Sequence, residues 1–565
     1  MVASWTGKWI VTVGPRASLA TAIDDQEILD DIDGRMHGPM SGFIKKYFGN
    51  FQYVRQDASM ETQAPSPDKF LQWFSKHVSG ERDGAQGSWH IESADGGARL
   101  FLTRSTSPAF NDKTRWDHVH VVGQFYEHGS VCYRNGLLRL CRSAHEVFFS
   151  QPTRLFVHGF YIRGSLIEFW VFDRSGLYCS DVFNIQEDFV RFLTVIDQYW
   201  RMTDQDLGEN SIIGTDKEGS YVTLNDGATF SLPKLYLENQ PIASREGIVG
   251  NATTCYRARL PDSDQWTYVV KFKWRWARER PEDELLRLAK EKNVWGAVSL
   301  DYYKELDSTA NLRRSLRWRT HKKFTKTPSP EINDSADEQR HRLADYTEDT
   351  DNFFQNRILA CIVTSPVGRP LHTFRSLTEL LEAFRDAIKC HRSLFKDADI
   401  LHQDISPGNT IILDGQEGGK PKGMLIDLDS AIVLADSEEE EGTTESGRII
   451  GTKPFMAIGV LNGEHHTCRH DLESFHYVFL WTIVTNDAED PPETSKLRQW
   501  SNGGWGELAV LSFPEPLAER LRQVLFPLRD GALWTGTDGS PEAVDKLYDE
   551  MIRAFEEAIG SEGKI

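Results

Sequence analysis

His402-Gln403-Asp404-Ile405-Ser406-Pro407-Gly408-Asn409 is followed by the apolar run Thr410 to Leu413, a turn-rich stretch from Asp414 to Gly423, and Met424-Leu425-Ile426-Asp427-Leu428-Asp429. The two apolar runs read as strands with a turn between them. Paired as a hairpin, they bring Asn409, at the start of the first, beside Asp427, at the end of the second. An amide oxygen and a carboxylate held together suit a hard cation such as Mg²⁺, which takes oxygen ligands and keeps phosphate partners. Asp404 faces the same cleft in this reading, placed to orient a hydroxyl and accept its proton during phosphoryl transfer. The bland alternative is a surface loop and hairpin in which Asp and Asn coincide by chance. The order D-x-x-x-x-N, strand, turn, strand, D has many parts, and context decides for the site.

Outward from this stretch the chain stays ordered in pattern. Upstream lie a strand, Ile358 to Val363, and a helix with Leu377, Leu380, Leu381, Phe384, Ile388 and His391 at helical spacing. Downstream, Asp471 opens a helix to Val484 that is apolar nearly all round and is therefore buried. Earlier still, Thr267 to Phe272 reads as a strand and Glu282 to Lys290 as a helix. Residues 235–560 form one domain in this reading, with a mobile insert near 312–349 that is basic, then Pro-rich, then acidic. Residues 201–234 read as a linker, and residues 1–200 as a separate α+β domain with turns at Gly123, Gly159, Gly164 and Gly176.

The length, 565 residues, corresponds to roughly three or four domains. With 39% hydrophobic and 11% aromatic residues the chain can bury large cores, which excludes global disorder. Acidic residues number 84 against 64 basic ones, a net charge of −20, which argues against nucleic acid or an anionic membrane as partner. No apolar run reaches the roughly eighteen residues of a spanning helix. The start, Met1 to Val13, has no basic lead and reads as no signal peptide. Seven scattered cysteines, with no C-x-x-C, fit reduced thiols in an intracellular compartment, cytoplasmic or nuclear. His465-His466-Thr467-Cys468-Arg469-His470 has zinc-ligand residue types but no second pair at ligand spacing.

The central stretch resembles the catalytic loop and metal-binding segment of the protein kinase superfamily. More narrowly, it resembles the fungal-type protein kinases. The likeness rests on Leu401 to Asn409, Leu425 to Asp429, Gly451-Thr452-Lys453-Pro454-Phe455-Met456-Ala457 and Arg469-His470-Asp471-Leu472-Glu473-Ser474-Phe475. Val171 to Gly176 and Pro366 to Leu371 extend it upstream. The resemblance implies a two-lobed α+β kinase-like domain, a β-rich lobe followed by a helical one, using ATP and Mg²⁺ on a protein substrate.

It also implies roles for single residues. Lys271 is placed to hold the ATP phosphates, paired with a helix glutamate. Glu284 is the leading candidate for that glutamate; Lys273 and Glu282 are the alternatives, because strand register is open by a step. Gly250 stands for the phosphate-covering glycine loop, Asp404 is the base, and Asn409 and Asp427 hold Mg²⁺. Asp471 bonds the backbone of the catalytic loop.

Departures from the family pattern are specific. Gln403 replaces an arginine that anchors a phosphorylated activation segment, and the acidic run Glu438 to Glu441 is either a charge mimic or a solvated loop. Ser406 replaces a lysine that neutralises the moving phosphoryl group, leaving more of that charge to Lys271. Asp429 replaces a glycine, and Gly459 a glutamate that normally forms a buried ion pair. The alternatives to a serine/threonine protein kinase are a small-molecule phosphotransferase of the aminoglycoside or choline type, or a weakly active pseudokinase scaffold. The first domain faintly resembles restriction-type nucleases, but Gln124 and Tyr126 stand where a carboxylate and a lysine are needed. It is therefore expected to be an inactive platform for a regulatory partner.

Overall fold

The computed structural model describes residues 9–10, 25–49, 63–78, 87–94, 97–104, 116–127, 133–224, 234–317, 354–415, 419–437, 450–485, 516–529, 532–534, 536 and 538–562. It is a mixed α/β protein with two large sheets and a helical region.

In chain order the first part contains β1 (Trp9–Ile10), α1 (Asp25–Ile32), β2 (Met36–His37), α2 (Phe43–Phe48), α3 (Phe70–Val78), β3 (Ser88–Ala94), β4 (Gly97–Thr103) and β5 (Val119–Tyr126). Then come α4 (Tyr133–Ser150), β6 (Phe156–Arg163), β7 (Leu166–Asp173), β8 (Gly176–Cys179), β9 (Phe183–Asn184) and α5 (Phe189–Arg201). Strands β2 to β9 form the first sheet, in the order β2-β8-β7-β6-β5-β4-β3 with β9 beside β7. Its faces are both covered. Helices α1 and α4 pack Ile28, Leu137, Leu140 and Val147 against Val122 and Phe172. On the other face α3 and α5 pack Phe70, Phe74, Phe192 and Ile196 against Leu100, Phe125 and Phe160. Double coverage explains the near-continuous apolar runs, and every residue of β5 is buried.

Two of the glycines expected at turns lie inside strands instead. Gly123 sits in β5 because a Cβ there would meet the Phe160 ring at 2.3 Å. Gly159 lies in β6; Gly164 does turn, at φ +59°, and Gly176 opens β8 directly after a turn, at φ +136°.

The second sheet comprises β10 (Ile213–Asp216), β11 (Gly219–Val222), β12 (Leu235–Leu237), β13 (Ala243–Arg245), β14 (Thr254–Arg259), β15 (Tyr268–Trp276), β16 (Ser299–Ser308) and β17 (Arg357–Ser365). Its order is β10-β11-β12-β14-β15-β17-β16, with β13 pairing β14 and β1. Helix α6 (Glu282–Glu291) and the short α7 (Thr309–Leu312) belong to this part.

The expected linker 201–234 is thus corrected: its turn residues serve the β10–β11 hairpin, where Asp216 Oδ1 accepts from the Glu218 amide, and only 225–233 lie outside the described residues. The insert is corrected at its start. Residues 312–317 are held in place: Arg313, fully buried, makes two bonds of 2.7 and 2.6 Å to Asp173, and Leu316 enters the first sheet's core. Residues 318–349 of the insert lie outside the described residues, as does the acidic run at 438–441.

The helical part follows: β18 (Arg369–Pro370), α8 (Leu377–Ala398), β19 (Ile400–Leu401), β20 (Thr410–Ile412), β21 (Gly423–Leu425), β22 (Ile432–Val433), α9 (Leu434–Ser437), α10 (Ile458–Leu461), α11 (Cys468–Thr485), α12 (Pro516–Leu525) and α13 (Pro541–Glu562). Phe384 of α8, Phe479 of α11, Leu521 of α12 and Phe555 of α13 share one core. Strand β20 pairs β21 antiparallel, with Thr410 opposite Leu425, so the hairpin read from the sequence forms. No helix among the described residues is long and apolar enough to cross a membrane.

Candidate active site

Strand β15 carries Lys271 into the space between the second sheet and the helical part. Its Nζ donates to Glu282 Oε2 at 2.7 Å, to Asp427 Oδ1 at 2.8 Å and to Asp429 Oδ2 at 3.0 Å. Lys273, two residues on and so on the same strand face, pairs with Asp429 as well. Carboxylate oxygens of Glu282, Asp427 and Asp429 all lie within 4.8 Å of one another.

The glutamate expected at 284 is corrected to Glu282, the alternative. Glu282 precedes the buried Leu285 and Leu286 by three and four positions, which puts it on the inward face of α6. Glu284 points outward and pairs with Arg280 at 3.0 Å. Glu282 Oε1 also accepts from the Leu428 amide at 3.3 Å, tying α6 to the segment after β21.

Charge is not balanced evenly here. Burial works against the Lys271 ammonium, but the carboxylates of Asp427, Asp429 and Glu282 outweigh it and raise its pKa well above the ordinary value. Burial, with Asp429 beside it, pushes Glu282 up to about 8. Burial and the same neighbour raise Asp427. Asp429 alone is held well below the usual range: burial opposes this, but Lys271 and Lys273 prevail.

The second group of residues comes from the loop after β19. Asn409 Nδ2 donates to the Asp404 carbonyl at 2.8 Å and to its Oδ2 at 3.2 Å, so the amide oxygen is its remaining acceptor. Asp404 Oδ1 accepts from the Thr452 amide at 2.8 Å and from Thr452 Oγ1 at 2.6 Å. The Ile426 amide donates to the Asn409 carbonyl at 3.0 Å, which sets Asn409 next to Asp427. Gln403 and Asp427 both adopt positive φ, +65° and +68°, a strain that the surrounding bonds hold in place.

Beneath the loop lies Asp471, the first acidic residue of α11. It accepts from the Gln403 amide at 3.1 Å and from the His391 and His466 rings at 2.8 Å each. His391 in turn meets Tyr548 of α13 at 2.8 Å. His466 is thereby a carboxylate partner, and the His465–His470 segment is not among the metal-type clusters of the described residues. The glutamate missing at Gly459 has a functional neighbour that the sequence reading passed over. Glu473 of α11 accepts from the Ile458 amide at 2.7 Å and pairs with Arg469 at 2.7 Å, within the same helix.

A cavity of about 690 Å³ opens beside Lys271. Ala243, Val269, Ile362, Ile411 and Ile426 supply apolar walls, and Lys271, Glu282, Asn409 and Asp427 a polar end. Gly250 is elsewhere, a correction. Its amide donates to the Arg174 carbonyl at 3.0 Å, because the long turn 246–253 buries Ile248 and Val249 in the first sheet's core.

A buried lysine on an antiparallel sheet, clamped to a helix glutamate and facing an Asp–Asn–Asp set on a helical base, defines a protein of the kinase-like class. The chain belongs to the fungal protein kinase family: residues 99–483 match the model described as Fungal protein kinase. The match begins within β4, so the family unit takes in most of the first sheet. No curated protein matches the chain.

Proposed function

We propose that the chain is an ATP-dependent, Mg²⁺-dependent protein kinase that phosphorylates serine or threonine hydroxyls of an intracellular protein. The second sheet acts as one lobe and the helical part as the other. The observation that carries this reading is Lys271 bonded at once to Glu282 and Asp427, 2.7 and 2.8 Å away, across the cleft from Asp404 and Asn409. The apolar walls suit a base, and a cavity of about 690 Å³ lies in the range of nucleotide-sized sites.

The donor set fits Mg²⁺. Asp427, crowded by Asp429, and the remaining amide oxygen of Asn409 are hard oxygen ligands. When bound, the ion supplies positive charge beside the phosphates. Lys271 holds the phosphates from above, fixed in direction by Glu282. Asp404, oriented by Asn409 and Thr452, accepts the proton of the attacking hydroxyl. The new bond from that oxygen to the γ-phosphorus forms as the bond to the β–γ bridging oxygen breaks, and ADP leaves with those electrons.

The test is transfer of labelled phosphate from Mg-ATP to a generic protein substrate and to small alcohols. Label on protein is expected; label on alcohols alone would replace the proposal with a small-molecule kinase. Asp404→Asn should lower turnover by about 10²-fold or more with nucleotide affinity intact.

A further inference from the structure

We propose that Arg245 is a catalytic cation for the terminal phosphate, supplying from the second sheet the charge that Ser406 lacks. The proposal rests on the kinase reading above and deepens it.

Strand register sets the face of the sheet on which Arg245 leaves β13. Ala243 pairs with Cys255, and Cys255 pairs with Lys271. All of these side chains line the nucleotide-sized cavity. Arg245 follows Ala243 by two positions, so it leaves the strand on the same, cleft-facing side. It stands further along β13, past the level of Lys271, where the strand runs into the 246–253 turn. Burial lowers its pKa, while the carboxylates of Asp427, Asp404 and Asp429 act the other way, so its guanidinium lies in the field of all three. The residues expected to carry base and metal are therefore its electrostatic neighbours.

Lys271 bonds Glu282, Asp427 and Asp429, and Lys273 pairs with Asp429. Ser406, buried in the loop, uses its carbonyl on Asn409 and Thr410 and brings no charge. A guanidinium, planar and always charged, suits a phosphate better than an ammonium would.

The support under Arg245 is stiff. Its own amide donates to the Thr253 carbonyl at 2.9 Å. In the turn beyond it, Asp31 of α1 accepts from the Ile248 and Val249 amides at 2.6 and 3.0 Å. Arg174, after β7, donates to the Gly247 carbonyl at 2.8 Å. Arg357 grips Asn251 at 2.8 Å. In place of a glycine-rich, collapsible cover, this protein has a turn bolted to the first sheet, which holds one cation at a set height.

The experiment measures affinities of the full chain for Mg-ADP and for Mg with a non-hydrolysable ATP analogue. The unaltered protein should prefer the triphosphate. Arg245→Ala and Arg245→Gln should each lose about tenfold or more of that preference with ADP affinity nearly unchanged, and Arg245→Lys should keep part of it. Retained ADP binding shows that the variants fold. A preference that survives in both variants, or ADP affinity that falls equally, overturns the assignment. If the unaltered chain binds both nucleotides without preference, Arg245 is wrongly assigned and the kinase reading stands; if it binds neither, both fall.

Discussion

Two buried carboxylate centres flank the loop 402–409, and they are opposite in character. Asp471 accepts from a backbone amide and two histidine rings, and its pKa is driven below the ordinary range despite burial. The Lys271 centre gathers Glu282, Asp427 and Asp429 around two lysines, and two of its three carboxyls are pushed upward. One centre is satisfied by the fold alone. The other crowds three carboxyls into one buried space and holds two of them above their ordinary pKa, which is the charge crowding that the proposed Mg²⁺ site rests on.

The sharpest way to break this comparison is to remove one oxygen charge from each. Asp471→Asn should destabilise the chain by about 3–5 kcal/mol, because its partners stay buried without their anion. Chemical denaturation measures it. Asp427→Asn should leave stability nearly unchanged or slightly raised, since it relieves repulsion with Asp429. It should instead abolish the Mg-nucleotide stabilisation, about 2.7 kcal/mol at a hundred times the dissociation constant. Equal losses of stability in the two variants would dissolve the distinction.

pH separates the centres next. Asp471 binds its proton less tightly folded than unfolded, so the stability it adds is complete above the ordinary carboxylate value of about 4 and is lost as pH falls further. Glu282, pushed up to about 8, binds its proton more tightly when folded. Its contribution is complete below the ordinary value of about 4.3 and is lost as pH climbs towards 8. Nucleotide-free protein should therefore lose stability between about pH 5 and 8, and Glu282→Gln should flatten that slope. Denaturation midpoints across the interval measure the difference.

Much of this was legible in the sequence, and the reason is spacing. The hairpin around Asn409 and Asp427 follows from two short apolar runs with a turn between them, and β20 and β21 pair in that way. The burial of the helix behind Asp471 follows from its being apolar nearly all round, while the bond of Asp471 to the loop backbone was implied by the family resemblance. What stayed hidden depends on contacts distant in sequence. Arg313 falls in the basic start of the expected mobile insert, since its partner Asp173 lies 140 positions away. Likewise, Ile248 and Val249 fall beside Gly250 in the expected phosphate-covering loop, and only α1 and α4 packed over them show them to be core. The direction of Asp429, which replaces a glycine of the family pattern, depends on Lys273 from another part of the chain.

Glu284 offers the smallest and most discriminating change. Helical spacing could have selected Glu282, because only it shares a face with Leu285 and Leu286. Proximity of a charge to Lys271 in sequence favoured neither. Glu284 is half exposed and pairs with Arg280, four positions earlier and ahead of the helix, an exposed ion pair worth about 0.5 kcal/mol at most. Glu284→Gln should thus change stability by less than about 0.5 kcal/mol and leave turnover alone. Glu282→Gln should lower turnover while keeping the fold, because Lys271 loses the partner that fixes its direction. If the two substitutions affect turnover alike, the inward face of α6 is not what orients Lys271, and the contrast between a structural and a chemical centre loses its strongest residue-level support.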